Sequence, residues 1–202
     1  MNLLYTYKTL ENLSEGLYKE KGSKFIAYAI PCTDEIEAKE NLAKWKKENH
    51  QARHLCYAYK FGVNQQITRT NDDGEPSNSA GTPILGQILS FELTNVLIGV
   101  VRYFGGTKLG VGGLITAYKT AAKDAIENGN IILKELETHL EINFPYEKLP
   151  QIMSLIKQYN LQIKLQDFNM LCKLQIELPK SLENNIIDTL KNISLIEITI
   201  LK

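Results

Sequence analysis

The residues best suited to chemistry surround a glycine-rich turn in the segment VVRYFGGTKLGVGGLI. The pattern predicts a buried strand that ends in Arg102 and Tyr103, a turn that contains Lys108, and a helix that starts near Gly112. The free N–H groups of a helix start, its dipole and two nearby cations would bind a phosphate-type anion or an RNA backbone. The predicted anion-binding residues are Arg102, Tyr103, Gly105, Gly106, Lys108, Gly110, Gly112 and Gly113. The alternative is that the glycines only let the helix pack closely on the sheet.

A second group of chemically capable residues lies in the polar segment NDDGEPSNSAGTPILGQI and just before it. His54, Asp72, Asp73 and Glu75 are the candidate catalytic residues, because clustered carboxylates and a histidine can serve as acid and base. The same carboxylates could instead cap turns, bind a metal or contact a partner. We predict neither a metal nor a cofactor, since the spacing does not fit an EF-hand and the chain contains no CxxC pair.

Two further patterns leave alternatives open. His54 and Cys56 lie two apart on a predicted strand and therefore share a face, as a nucleophile and base or as a structural pair. Several aromatic side chains could stack on nucleic-acid bases or belong to the core: Tyr57, Tyr59, Phe61, Tyr103 and Phe104. The turn is not a Walker A loop, because Val111 stands where the lysine must follow. Nucleoside triphosphate hydrolysis is therefore disfavoured.

The elements that position these residues alternate between strand and helix. Alternating apolar and polar residues predict a strand pair within residues 1–30, and a helix capped by Thr33 or Asp34 follows and ends near His50. The next predicted elements are a strand at 54–61, a loop at 71–81, a helix at 79–91, a strand at 95–103 and a helix from Leu114 that stops at Gly129. Gly129 is predicted to form a left-handed helix cap.

The pattern changes beyond about residue 135. Residues 136–202 predict the order strand, helix, strand, strand, helix, strand, which is the ferredoxin-like arrangement. A chain of 202 residues is long enough for two modest cores. We therefore predict an α+β protein with two domains, at residues 1–135 and 136–202.

Composition narrows the range of functions. The formal net charge is zero, so no overall basic field draws the chain to nucleic acid, and any such contact must be a local patch. The chain has three cysteines, too few and too scattered for a disulfide framework. The longest apolar run is far shorter than a membrane span, and the first residues lack the features of a secretory signal. We expect a cytoplasmic protein without membrane contact.

Three sequence blocks closely resemble the signature blocks of the IMPACT/YigZ family. They are ARHLCYAYK, NDDGEPSNSAGTPILGQI and VVRYFGGTKLGVGGLITAYKTAA, and the match covers about residues 20–130. The resemblance implies a first domain with the left-handed βαβ fold of elongation factor G domain IV. It also implies a second domain like that factor's domain V.

The resemblance further implies a role in translation, because eukaryotic relatives are linked to control of translation initiation under stress. The leading hypothesis is a regulatory protein that binds RNA or the ribosome through the glycine-rich turn, with the Asp72–Glu75 loop at one rim. One alternative is an enzyme acting on a phosphorylated small molecule. Another is a protein-interaction module with no small ligand, and the sequence favours a binding protein over an enzyme.

Overall fold

The structure, a computed structural model, describes residues 5–201. Its strands are β1 (Thr6–Leu10), β2 (Ser14–Glu20), β3 (Ser23–Pro31), β4 (His54–Phe61), β5 (Ile67–Asn71), β6 (Val96–Tyr103), β7 (Ile131–Glu135), β8 (Glu137–Pro145), β9 (Gln162–Phe168), β10 (Leu171–Pro179) and β11 (Glu197–Leu201). Its α-helices are α1 (Glu35–Glu48), α2 (Gly81–Ser90), α3 (Gly110–Glu127), α4 (Leu149–Tyr159) and α5 (Glu183–Lys191). The predicted mixture of α and β structure is confirmed.

The chain divides into two compact units. Among the described residues, one contains Tyr7–Lys134, and the other contains residues 135–201 together with Tyr5 and Thr6. Whether residues 1–135 and 136–202 fold as independent domains stays a prediction, because compact units need not fold alone.

The Tyr7–Lys134 unit is built on a five-stranded sheet with the order β2-β3-β6-β4-β5. Each neighbouring pair in this sheet is antiparallel. The central strand β6 is buried along almost its whole length, since helix α1 covers one face of the sheet and helices α2 and α3 cover the other. Strands β1 and β7 pair separately in a small sheet. The candidate site lies on the α2 and α3 face.

The second unit has the predicted element order of strand, helix, strand, strand, helix, strand. Its four strands form an antiparallel sheet with the order β11-β8-β10-β9. Alternate residues of β8 and β10, such as Ile142 and Leu174, pack with α4 and α5 into one core. The more specific likenesses to ferredoxin and to the elongation-factor domains stay predictions.

The structure confirms one predicted helix boundary and corrects another. Asp34 caps α1 by accepting hydrogen bonds from the N–H groups of Ile36 and Glu37, as the sequence predicted. The prediction that Gly129 forms a left-handed cap is wrong, because Gly129 does not have a positive φ and Asn128, the cap residue of α3, is right-handed. A Cβ on Gly129 would lie 2.8 Å from the Ser14 Oγ, so glycine is needed there for close packing.

Two pairings were absent from the sequence-based prediction. Strand β5 is exposed and polar, and it pairs with β4 at the edge of the five-stranded sheet. Strand β7 pairs with the distant β1. Neither strand carries the apolar alternation that marks a half-buried strand. Among residues 5–201, no helix combines the length and the hydropathy that crossing a membrane requires.

Candidate functional site

A row of three side chains at one end of the five-stranded sheet forms the floor of the candidate site. Arg102 of β6 is paired with Phe25 of β3 on one side and with His54 of β4 on the other. Two residues earlier on β6, Val100 packs in the core under α2 and α3. Because side chains alternate along a strand, Arg102 faces the same side of the sheet as Val100.

A cleft of about 480 Å³ opens above this row. It lies between the loop that follows β5 and the start of α3, and its volume is in the usual range for small-ligand sites. The lining residues are Arg53, His54, Glu75, Pro76, Arg102, Phe104, Lys108, Leu109, Gly110, Val111 and Leu114. Among them are three permanent cations and a single carboxylate, so the cleft favours an anion.

The start of α3 contributes backbone donors to this cleft. No residue between 5 and 201 accepts a hydrogen bond from the N–H groups of Gly110, Val111 or Gly112, and no side chain caps the helix. Gly110 has a φ of +73°, a conformation that other residues rarely adopt. A Cβ on Gly112 would meet no atom of the described chain within 4 Å. Gly110 and Val111 line the cleft, so there is space beside the start of α3.

Arg102 is held on the floor of the cleft by a buried ion pair. Its Nη1 donates to Glu75 Oε1 over 2.7 Å, and the Tyr118 hydroxyl donates to the same oxygen over 2.8 Å. The side chains of Arg102 and Glu75 are only 8% and 4% exposed. Burial raises the pKa of Tyr118, and the neighbouring Cys56 and Glu75 raise it further, so the hydroxyl stays a donor.

The pairing of Arg102 is incomplete. Its Nε is buried and has no hydrogen-bond partner among residues 5–201. Its Nη2 also makes no hydrogen bond there, yet it is not among the fully buried nitrogens, so it reaches the cleft. An unsatisfied buried donor costs about 1–3 kcal/mol. A ligand oxygen in the cleft can reach Nη2, and it would recover the cost of Nε only if the Arg102 side chain moved slightly toward it.

An aromatic ring stands beside the cations. The Arg53 and Arg102 guanidinium carbons lie 5.8 and 5.6 Å from the centre of the Phe104 ring. Phe25 lies 5.6 Å from the Arg102 guanidinium carbon as well. Phe104 is 43% exposed, which leaves part of the ring accessible for stacking on a base.

His54 lines the cleft with one of its ring nitrogens already engaged. Its Nδ1 lies 2.6 Å from the Asp73 carbonyl oxygen, and a carbonyl can only accept, so Nδ1 carries the proton. In the neutral ring Nε2 is then an acceptor. No other residue in the described range forms a hydrogen bond with Nε2.

The side chains of the two neighbouring aspartates accept hydrogen bonds from backbone N–H groups. Asp72 accepts hydrogen bonds from the N–H groups of Asn78, Ala80 and Gly81 over 2.8–3.0 Å. Asp73 Oδ2 accepts from the Leu55 N–H over 2.7 Å. Among residues 5–201, no cluster of three or more His, Cys, Asp or Glu side chains is arranged to hold a metal ion.

Cys56 lies under the same loop without contacting His54. Its thiol donates to the Asp72 carbonyl oxygen over 3.0 Å, and burial raises its pKa. A thiol that is buried and protonated is a poor nucleophile. The structure therefore does not form the nucleophile and base pair that the spacing of His54 and Cys56 left open.

Comparison with known proteins places the chain in a family. The Impact N-terminal domain matches residues 21–126, which include every element around the cleft. The chain belongs to the IMPACT family. The IMPACT family member YvyE of Bacillus subtilis is 33% identical over 80% of this chain and 75% of its own length. The IMPACT family member YigZ of Escherichia coli is 32% identical over 79% of each chain.

A solved structure resembles this IMPACT-family chain along nearly its whole length. It is described as the crystal structure of a hypothetical protein, and it covers 98% of both chains with a TM-score of 0.78 and 26% identity. Both parts of the chain therefore have counterparts in a solved structure. That structure's description names no activity.

The cleft of this IMPACT-family chain brings together some of the predicted site residues. His54, Glu75, Arg102, Lys108 and Gly110 line it. The prediction that Tyr103 joins the anion site is wrong, because its hydroxyl donates to Asn49 Oδ1 on the α1 face.

The predicted glycines have different surroundings. A Cβ on Gly105 would lie 1.9 Å from the Gly22 carbonyl carbon, so this glycine serves close packing. Gly106 has a φ of +87° in open space, and a Cβ on Gly113 would lie 2.9 Å from Leu109 Cβ. Neither lines the cleft, and neither does Gly112, although Gly112 has free space beside it.

Several residues of the cleft were not predicted as site residues. Arg53 on the rim is the clearest example, and Tyr118, which holds Glu75 from outside the cleft lining, was not predicted either. Arg53 is the second residue of the signature block ARHLCYAYK, so its place in that block was the available signal. No local pattern indicates that Tyr118 meets Glu75, 43 residues earlier.

Proposed function

We propose that this IMPACT-family chain is a cytoplasmic regulatory binding protein that acts on RNA or the ribosome in translation control. The observation that carries the proposal is the open start of α3 beside the incompletely paired Arg102. Translation control is what the resemblance of the three signature blocks implies. The elongation-factor-like folds of the two domains are part of the same proposal.

The chemistry of the cleft supports RNA as the ligand. RNA presents phosphates, which suit free helix N–H groups and arginine, and bases, which stack on exposed aromatic rings. In the cleft, the start of α3 and Arg102 can bind a phosphate, and Phe104 can stack on a base. Because the whole chain has no net charge, the contact has to be local, and this cleft supplies a local excess of cations.

The test is binding to single-stranded RNA and co-sedimentation with ribosomes at two salt concentrations. Released counterions dominate such binding, so affinity should fall steeply between about 50 and 200 mM salt. A variant that combines Arg53→Ala and Lys108→Ala removes two exposed cations from the cleft. It should flatten the salt dependence by about 0.7 in log-log slope per cation.

A matched control combines Lys39→Ala and Lys119→Ala, which removes two exposed lysines on α1 and α3 that do not line the cleft. Binding that the control retains and the cleft variant loses supports the proposal. Affinity that does not change with salt, or that survives in the cleft variant, contradicts it.

His54 favours one second candidate, an enzyme that acts on a phosphorylated small molecule. The Asp73 carbonyl fixes the ring so that Nε2 is free as a base within the cationic cleft. A phosphatase and phosphodiesterase screen with wild type and His54→Gln tests this candidate. Turnover that His54→Gln abolishes would support it, and silence across the screen would reject it.

A further inference from the structure

The free edge of Arg102 defines the shape of a ligand group. Nη1 is bound to Glu75, while Nε and Nη2 make no hydrogen bond to any residue from 5 to 201. Nε–H and one Nη2–H point the same way along one edge of the planar guanidinium. Nη2–H can donate to a ligand oxygen in the cleft, and a small movement of the buried Nε–H would add the second, parallel hydrogen bond to another oxygen of a phosphate or carboxylate. A single neutral acceptor would leave one of the two donors unsatisfied.

The charge around the cleft indicates how much negative charge the ligand carries. Glu75 is bound to Arg102, which leaves Arg53, Lys108 and the positive end of the α3 dipole without a matching anion among the lining residues. A phosphate monoester carries a charge of about −1.5 to −2 at pH 7 and has three acceptor oxygens. A phosphodiester within an RNA chain carries a single charge. The balance of charges therefore fits a monoester better.

The rest of the cleft is apolar and partly aromatic. Phe104 and Arg53 stand together at the rim, and Leu109, Val111 and Leu114 line the wall beside them. A volume of about 480 Å³ has room for one nucleotide and not for a folded RNA element. An inorganic anion alone would make no contact with these apolar side chains.

We propose that the cleft binds a single nucleotide bearing a phosphate monoester. The phosphate lies between the free edge of Arg102 and the N–H groups at the start of α3, and the base lies against Phe104. The phosphorylated end of an RNA strand and a free nucleoside monophosphate share this chemistry. The choice of an RNA end rests on the proposed function, whereas the monoester class does not.

The experiment compares ligands that differ only in the phosphate. Single-stranded RNA of about ten nucleotides, with an internal fluorescent label, is prepared with a 5′-phosphate, with a 3′-phosphate or with hydroxyls at both ends. Adenosine 5′-monophosphate and uridine 5′-monophosphate are titrated beside their nucleosides. We expect one phosphorylated end to bind at least about tenfold more tightly than the hydroxyl-ended strand, and the monophosphates to bind where the nucleosides do not.

Each outcome separates this inference from the proposed function. Equal affinity for phosphorylated and hydroxyl-ended RNA, with no monophosphate binding, overturns the inference and leaves RNA binding in place. Binding of monophosphates without binding of any RNA supports the monoester class with a free nucleotide as ligand, and it overturns the proposed function. Failure of every ligand overturns both.

Two variants test the two halves of the ligand. Arg102→Lys keeps a cation near Glu75 but removes the paired donors, so it should abolish the preference for a phosphorylated end. Phe104→Ala should weaken monophosphate binding about tenfold while leaving the affinity for inorganic phosphate unchanged. Lys119→Ala is the control, because Lys119 lies on α3 and is exposed but does not line the cleft. Should Arg102→Lys fail to fold, Phe104→Ala alone decides, because equal losses for phosphate and monophosphate contradict the arrangement.

Discussion

Helices α2 and α3 start on the same face of one sheet, but their first N–H groups have different partners. At α2, Asp72 Oδ1 accepts from the N–H groups of Ala80 and Gly81 over 3.0 and 2.8 Å. At α3, the N–H groups of Gly110, Val111 and Gly112 have no acceptor among residues 5–201. The chain closes one helix start with its own carboxylate and leaves the other open.

The difference lies in the neighbours of each start. The start of α3 shares its cleft with Arg102 and Lys108, and no acidic residue lies in its first turn. A carboxylate there would compete with any external anion for the same donors. Asp72 therefore occupies the start of α2, and the open start of α3 supports our proposal that α3 takes an anion from outside.

The largest expected effect on stability comes from replacing Arg102 on the floor of the cleft. Arg102→Met leaves the buried Glu75 carboxylate without its cation, and breaking such a pair typically costs about 3–5 kcal/mol. Urea unfolding followed by the fluorescence of Trp45, the only tryptophan, would measure this loss in the Tyr7–Lys134 unit. The double variant Arg102→Met, Glu75→Met should recover much of it. A loss below about 1 kcal/mol would mean that the pair behaves like an exposed one.

The next effect comes from opening the closed start. Asp72→Ala removes three hydrogen bonds from backbone N–H groups to a charged acceptor, and it should lower the free energy of unfolding by about 2–3 kcal/mol. The same fluorescence-detected unfolding measures it. The variant should not gain affinity for phosphate, because Arg102 and Lys108 line the cleft at the start of α3. New phosphate binding at α2 would undermine the role we assign to Arg102 and Lys108.

Closing the open start should have a smaller effect of opposite sign on stability. Val111→Asp places a carboxylate in the first turn of α3, where it should stabilise the helix by about 0.3–1 kcal/mol and block anion binding. Val111 is 53% exposed, so its replacement leaves no cavity in the core. Val111→Asn, which has the same shape without the charge, is the control for thermal unfolding and RNA affinity. Retained RNA binding in Val111→Asp would argue that the ligand lies elsewhere.

The smallest effect on stability distinguishes two glycines that have free space beside them. A Cβ on Gly86 in α2 or on Gly112 in α3 meets no atom of the described chain within 4 Å. Both changes to alanine should preserve stability or raise it by up to about 1 kcal/mol. Only Gly112→Ala should weaken RNA binding, because Gly112 follows Gly110 and Val111 in the first turn of α3, and these two residues line the cleft. Equal affinities of the two variants would show that no ligand approaches Gly112.

The sequence predicted the elements that form the start of α3 and its surroundings, but it did not predict where every side chain there points. The order of strand, glycine-rich turn and helix, with Arg102 and Lys108 beside it, was readable because each part has a local pattern. The face of the sheet on which Tyr103 lies could not be predicted. Strand β6 is apolar on both faces, so the sequence does not show which of its alternating residues point toward the cleft.

The roles of the carboxylates were less accessible still. Asp72 binds N–H groups up to nine residues further along the chain, and Asp73 binds the Leu55 N–H. Glu75 meets Arg102 and Tyr118, which are 27 and 43 residues away. Such contacts depend on how the loop folds back onto the sheet. The sequence left a turn-capping role open for the aspartates, but the backbone groups that they bind could be identified only in three dimensions.

The most direct measurement is an NMR titration of the ¹⁵N-labelled chain with 5′-phosphorylated RNA, because the two helix starts can be compared in one sample. We predict that the amide signals of Gly110, Val111 and Gly112 shift in a saturable way, while those of Ala80 and Gly81 stay in place. Signals at the start of α3 that do not move, or equal shifts at both helix starts, would contradict the claim that α3 is the site for an external anion.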